Sequence, residues 1–320
     1  MMNFWGVFLI FVNALVYVQA GRGGNDMYKD DVNVLELTPS TFDKAVYGTN
    51  YTTMVKFYAP WCGYCRSLEP IYHKLGKYFN QDAKYSINIA SVNCDKDTNQ
   101  ELCSRFRISG FPTILVFRPS KFDPVKNPKV SHAVETYNGE RSLKPMVRFL
   151  TSRMKNYAKR IYGLGGDALS SWLAGENGSH KVLLITKSYD VTPLYKSLAL
   201  DFLGVLKFGL VSTKSLDKEH EFKHNVDGKD IKLPLKKEED LPRLLLFDEY
   251  SDKIVKFEGK YNDKTAITQW IIEKTGIKPT EGPLSRKEAK FFKNVRLGKK
   301  PSSKKPSSKK INKKPQHDEL

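Results

Sequence analysis

The chain has 320 residues, 40% of them aliphatic or aromatic, enough for two ordinary cores at roughly 100–200 residues per domain. Four cysteines are too few for a disulfide-dense miniature fold. The formal charge of +18 suggests nucleic acid until it is located: residues 293–320 hold ten Lys/Arg against two acids, so +8 of it lies in one terminal stretch.

In chain order, Phe4 to Val18 is an almost unbroken apolar run ending in Val18-Gln19-Ala20, a signal-peptidase pattern, so residues 1–20 read as a signal peptide. The run is shorter than the roughly 20 residues a bilayer span needs, so no membrane span is expected in the mature chain. An uncleaved anchor is the alternative, since Met1-Met2-Asn3 supplies no basic side chain. Gly21-Arg22-Gly23-Gly24 breaks any helix, and residues 21–32 read as a linker.

Residues 33–157 form the first expected unit. Val34 to Leu37 is a strand, Thr38-Pro39-Ser40 opens a helix through Val46, and Thr53 to Ala59 is a β-rich run expected as a buried central strand. A helix follows from Gly63 to about Phe79, with Leu68, Ile71, Tyr72 and Leu75 at helical spacing. Next come a strand from Ile87 to Asn93, a short helix from Thr98 to Phe106, a hairpin of Thr113–Phe117 with Ala133–Tyr137, and a helix from Leu143 to Met154. This is α/β layering on a mixed central sheet.

A second unit spans residues 160–282, with strands at Lys181–Ile185, Phe208–Val211, Leu244–Phe247 and Ile254–Phe257, and helices at Pro193–Leu203 and Lys264–Lys274. Gly110-Phe111-Pro112 ahead of Thr113–Phe117 is echoed by Asp240-Leu241-Pro242 ahead of Arg243–Phe247, which indicates internal duplication. No cysteine follows Cys103, so the copy lacks thiol chemistry.

Residues 283–320 repeat Lys-Lys-Pro-Ser-Ser, cannot bury a core, and are expected to be a disordered basic tail. A solvated spacer is the plain reading; capture of acidic clients or anionic membrane surfaces is the other. The tail ends in His317-Asp318-Glu319-Leu320, the luminal retrieval signal, which implies a receptor for that tetrapeptide. Both ends place the protein in the endoplasmic-reticulum lumen, where disulfides persist and nucleic acid is absent. Asn50-Tyr51-Thr52 and Asn177-Gly178-Ser179 are then candidate glycosylation sites, at Asn50 and Asn177.

Trp61-Cys62-Gly63-Tyr64-Cys65 lies where the buried strand ends and a helix begins. The thiolate is the attacking species in disulfide exchange, and free amide N–H groups at a helix start favour that anion. Cys62 is expected to be exposed and nucleophilic, and Cys65, one turn inside, to resolve the mixed disulfide. A four-thiolate zinc site with Cys94 and Cys103 is disfavoured, because the eight residues between those two do not suit a zinc arm, and no metal is expected.

Phe57-Tyr58-Ala59-Pro60-Trp61-Cys62-Gly63-Tyr64-Cys65 resembles the active-site segment of the protein disulfide isomerase family, and Gly110-Phe111-Pro112-Thr113 resembles its cis-proline loop. The likeness is close over 33–157 and only in outline over 160–277. With one active domain, one silent domain and a basic tail, the chain is most similar to small fungal single-active-site isomerases of the yeast Mpd type. The resemblance implies two thioredoxin-like domains. It implies an enzyme that forms, reduces and rearranges disulfides in unfolded or misoxidised secretory proteins, with no cofactor, and glutathione or a luminal oxidase as redox partner. It further implies that Pro112 is cis and faces the sulfurs, that Arg141 swings toward them to favour the thiolate, and that Trp61, Tyr64 and Phe111 contact client.

The family usually has His at the position of Tyr64, a buried carboxylate at the position of Lys56, and that acid's lysine partner at the position of Ser91. Lys56 is therefore a candidate proton-transfer group, its charge disfavoured by burial, or else a stem that packs while the ammonium reaches water. Cys94 and Cys103 either pair or stay free. A structural disulfide is the expectation, and some fungal members have a similar second disulfide beside the active site. A chaperone or adaptor with a dispensable dithiol is the alternative function.

Overall fold

The computed structural model describes residues 25–120, 132–165, 167–175, 180–214, 216, 223–226, 228–235, 240–248 and 253–296. The apolar leader, Asn177 and the lysine-rich terminus with its tetrapeptide lie outside the described residues. No helix among the described residues is long and apolar enough to cross a membrane.

The first sheet contains β1 (Leu35–Glu36), β2 (Thr52–Tyr58), β3 (Ile87–Asn93), β4 (Thr113–Arg118) and β5 (Ala133–Thr136) in the order β1-β3-β2-β4-β5. β1, β3 and β2 are parallel, while β4 and β5 are antiparallel. The helices are α1 (Pro39–Val46), α2 (Gly63–Lys77), α3 (Gln100–Arg105) and α4 (Leu143–Arg153). β2 is buried along its whole length, and its side chains alternate between faces. Val55 and Phe57 pack with Phe42, Ala45 and Leu102 of α1 and α3, whereas Met54 and Tyr58 pack with Leu68, Tyr72 and Met146 of α2 and α4. The same period places Lys56 on the α2 face, beneath the dithiol.

The second half carries β6 (Lys159–Ile161), α5 (Asp167–Ala174), β7 (Lys181–Thr186), α6 (Pro193–Asp201), β8 (Lys207–Ser212), a separate hairpin of β9 (Lys223–Val226) and β10 (Lys229–Lys232), β11 (Arg243–Phe247), β12 (Ile254–Lys256) and α7 (Lys264–Thr275). Its sheet order, β6-β8-β7-β11-β12, reproduces the first, with β6, β8 and β7 parallel and β11 and β12 antiparallel. The thioredoxin-like layering is thus present twice. β6, α5 and the β9–β10 hairpin were not legible in the sequence: β6 has three residues, α5 eight, and the hairpin strands are polar.

Two boundaries need correction. Residues 25–32 are no slack linker, because Tyr28 is 2% exposed and belongs to the first core. Residues 283–296 are no disordered tail. They carry α8 (Arg286–Arg296), whose Phe292 and Val295 are buried against Tyr51, Leu35 and Val46 of the first unit. Averaging the composition hid two phenylalanines and a valine at helical spacing within a basic stretch.

Candidate active site

Cys62 is the residue capping α2, in extended backbone, and Cys65 lies one turn inside, its amide donating to the Cys62 carbonyl at 3.1 Å. Both are free thiols. Cys65 is fully buried, and burial together with the hydrogen bond its thiol donates to Cys62 pushes it up to about 11. Cys62 is only 8% exposed, less than the sequence suggested, because the loop before β4 closes over the helix start and the Phe111 carbonyl accepts from the Cys62 sulfur at 3.6 Å.

The Phe111–Pro112 peptide is cis, and so is its counterpart Leu241–Pro242 in the second half. Thr113 closes the loop by donating its hydroxyl to the Gly110 carbonyl at 2.7 Å. Arg141 reaches this loop and not the sulfurs: its guanidinium donates to the Pro112 carbonyl at 3.4 Å. Trp61, 64% exposed, meets Phe111 edge-on at 6.0 Å, and Tyr64 is 76% exposed on the first turn of α2. Trp61 and Phe111 therefore stand together beside Cys62, with Tyr64 exposed on the turn that follows.

Cys94, just after β3, and Cys103, on α3, are joined by a disulfide. Asp95 follows Cys94 and accepts from the Trp61 indole at 2.8 Å, so the disulfide-closed loop and the rim of the site are one unit.

Beneath Cys65, Lys56 has no exposed surface, which corrects the reading of an ammonium reaching water. Its Nζ donates to the Tyr28 hydroxyl at 2.5 Å and to the Cys65 carbonyl at 3.2 Å. The rings of Tyr28, Tyr58 and Tyr72 surround it at 4.7, 5.2 and 5.5 Å. Burial lowers the Lys56 ammonium to about 8, and a charge on Cys65 would raise it again. Glu36, one strand beyond Ser91, accepts from Tyr58 at 3.0 Å and from Ser91 at 2.9 Å, and burial raises its carboxyl to about 7. Tyr28 and Glu36 escaped the sequence reading. Glu36 had one signal, a lone acid in the apolar run Val34–Leu37; Tyr28 had none.

Asn50 lies far in sequence from its partner Glu281, to which its amide donates at 2.6 Å, so a glycan on Asn50 would have to displace that bond.

Residues 33–152 match the thioredoxin family model. Protein disulfide-isomerase MPD1 of Saccharomyces cerevisiae is 37% identical over 330 aligned residues, covering 98% of this chain and all of that protein. Protein disulfide isomerase-like 2-2 of Oryza sativa subsp. japonica is 35% identical over 156 residues, covering 47% of this chain and 38% of its own. Among solved structures, full-length ERdj5 aligns with 76% of this chain and 32% of its own at 18% identity and a TM-score of 0.45, a likeness too loose to add to the topology above.

Proposed function

The chain belongs to the protein disulfide-isomerase family and is a thiol–disulfide oxidoreductase, and from that premise we propose that Cys62 and Cys65 are its redox couple, acting on disulfides of unfolded or misoxidised client proteins in the endoplasmic-reticulum lumen. The observation that carries the reading is a pair of free thiols at the head of α2, one at the cap and one buried a turn inside, facing the Phe111–Pro112 loop.

The cap position sets the Cys62 sulfur at the start of α2, where it is the attacking atom of the pair. That sulfur attacks a client disulfide, with the Phe111–Pro112 loop offering backbone groups to an extended client segment and the Trp61, Tyr64 and Phe111 rings lining its path. Cys65, held high by burial, stays a thiol until the mixed disulfide forms, then resolves it after giving its proton to Lys56. Arg141 steadies the proline loop through the Pro112 carbonyl. Glutathione or a luminal oxidase resets the couple. Residence in the lumen is supported by the apolar leader and by His317–Leu320, the ligand of a retrieval receptor.

Insulin reduction in dithiothreitol tests the assignment. Cys62→Ser is expected to abolish the catalysed rate; full retention overturns it in favour of a chaperone or adaptor.

A further inference from the structure

The segment before β1 is fastened to the catalytic unit at several points. The Met27 amide donates to the Tyr58 hydroxyl at 2.8 Å, Asp31 pairs with His73 of α2 at 2.6 Å, and Asp26 pairs with Lys96. Asp31 also accepts from the amides of Asn33 and Val34, which turns the chain into β1. This bracing brings one side chain, Tyr28, into the core, with its hydroxyl on Lys56 Nζ and its ring edge-on to Tyr58 at 5.9 Å. We propose that Tyr28 is a positioning residue for thiol–disulfide exchange, its phenol oxygen holding Lys56 Nζ beneath Cys65, so that the N-terminal segment is a working part of the catalytic domain. This rests on the reading of Cys62 and Cys65 as the redox couple.

A lysine on the central strand has several ways to place its amine, and the resolving step needs it in one of them. Tyr28 selects that placement and serves both protonation states. The ammonium donates to the phenol oxygen, a charge-assisted bond; the amine can instead accept from the phenol O–H. Burial raises the Tyr28 phenol far above any working pH, so it remains a hydroxyl throughout. Because the bond to the ammonium is the stronger of the two, Tyr28 makes Lys56 a better proton acceptor than the tyrosine cage alone would.

In the resolving step Cys65 S–H gives its proton to Lys56, and the Cys65 sulfur bonds to Cys62 Sγ. The Cys62–client bond breaks, its electron pair leaves on the client sulfur, and that thiolate takes a proton from solvent as Lys56 releases one. The two protein thiols are oxidised and the client disulfide is reduced. The groups facing Lys56 are Cys62, Cys65, Glu69 and Tyr72 from α2 and the helix start, Glu36 from β1, Tyr58 from β2, and Tyr28 itself.

The test is the pH profile of insulin reduction by the full chain as wild type, Tyr28→Phe, Lys56→Met, the double variant and Cys62→Ser. Tyr28→Phe is expected to move the midpoint of the rising limb down by about one pH unit, because Lys56 loses the bond that favours its ammonium, and to lower the plateau rate several-fold because the weaker base takes the Cys65 proton less readily. In the Lys56→Met background the same change is expected to shift nothing. An unmoved profile in Tyr28→Phe, or an equal shift without Lys56, overturns the inference while a Cys62→Ser loss leaves the dithiol assignment standing. If Cys62→Ser reduces insulin like wild type, the assignment and this inference fall together. Should Tyr28→Phe not fold, trifluorotyrosine at position 28 keeps the ring and weakens the oxygen as an acceptor. A midpoint shifted downward supports the inference, and an unchanged one overturns it.

Discussion

The indole N–H of Trp61 donates to Asp95 Oδ1 at 2.8 Å, and Asp95 is the residue after Cys94 of the Cys94–Cys103 disulfide. The Cys94 amide donates to the Tyr58 carbonyl at 2.8 Å, so the loop is tied to the end of the strand that leads into the dithiol. The Trp61 ring, on the residue before Cys62, is therefore held from outside by a covalently closed loop, and one indole links the two cysteine pairs.

Asp95→Ala should free Trp61 and speed iodoacetamide alkylation of Cys62 several-fold, at a stability cost of about 1 kcal/mol for the lost hydrogen bond. Replacing Cys94 and Cys103 by Ser should give the same faster alkylation and a larger loss, up to roughly 3 kcal/mol on closing-entropy grounds. Unchanged alkylation rates in both variants would refute the coupling.

The two units meet at a buried ion pair. Lys264 Nζ lies 2.6 Å from Asp201 Oδ2, their side chains 3% and 0% exposed, and Ser86 of the catalytic unit donates to Asp201 Oδ1 at 2.7 Å. Lys264→Met leaves a buried carboxylate without its cation, which costs about 3–5 kcal/mol. Urea unfolding should show that loss, and adding Asp201→Asn should recover part of it. A Lys264→Met midpoint equal to wild type would disprove the role of the pair.

Stability near the site depends on pH in opposite senses at two groups. Glu36 is raised to about 7 in the folded chain, from an ordinary 4.5, so it binds more proton folded than unfolded between these values, and its contribution declines as pH rises through that window. Lys56 is lowered from 10.5 to about 8, so it binds less proton folded than unfolded there, and stability rises with pH between those values. The contributions of the two together are least favourable between about 7 and 8. Urea titrations across pH should lose the first slope in Glu36→Gln and the second in Lys56→Met. Parallel curves for wild type and variant would show that neither burial matters.

The segment after α7 clasps both units. The amides of Thr280 and Glu281 donate to the Asp201 carbonyl at 2.8 and 3.1 Å, and α8 then lays Phe292 edge-on against Tyr51 at 5.6 Å. Gly282 has φ +86°, and a Cβ there would lie 2.0 Å from Asp201 Oδ1. Phe292→Ala should cost about 3–5 kcal/mol of packing and Gly282→Ala should spring the clasp. Both should expose the basic α8 to trypsin. Loss of the Asn50–Glu281 bond, by Asn50→Ala or by a glycan on Asn50, should act more weakly in the same direction. Wild-type digestion kinetics in Phe292→Ala would rule the clasp out.

The fold was legible wherever apolar periodicity ran long. The seven-residue β2 and the fifteen-residue α2 stand where the pattern puts them, and the Pro-then-apolar-strand repeat marks two copies of one sheet. Cys62 at a helix cap follows from the same local reading. Its reduced exposure does not, because the covering carbonyl is 49 residues away. Lys56 could be placed on the face of α2 by counting along β2, but whether its ammonium escaped to water depended on what lay above it.

By itself the sequence determined the local chemistry: which strand is central, where the dithiol enters a helix, and that the second copy has no thiols. These follow from residue type and spacing over a few positions, since helix caps, strand alternation and turns are short-range interactions. Only the tertiary structure decided that Tyr28 meets Lys56, that Glu36 lies beyond Ser91, that Asp95 holds Trp61, and that a basic terminal stretch becomes a helix on the catalytic unit. Each of those depends on a buried polar or aromatic group finding a partner tens to hundreds of residues away, and burial makes such partners obligatory without saying, from the residues alone, which they are.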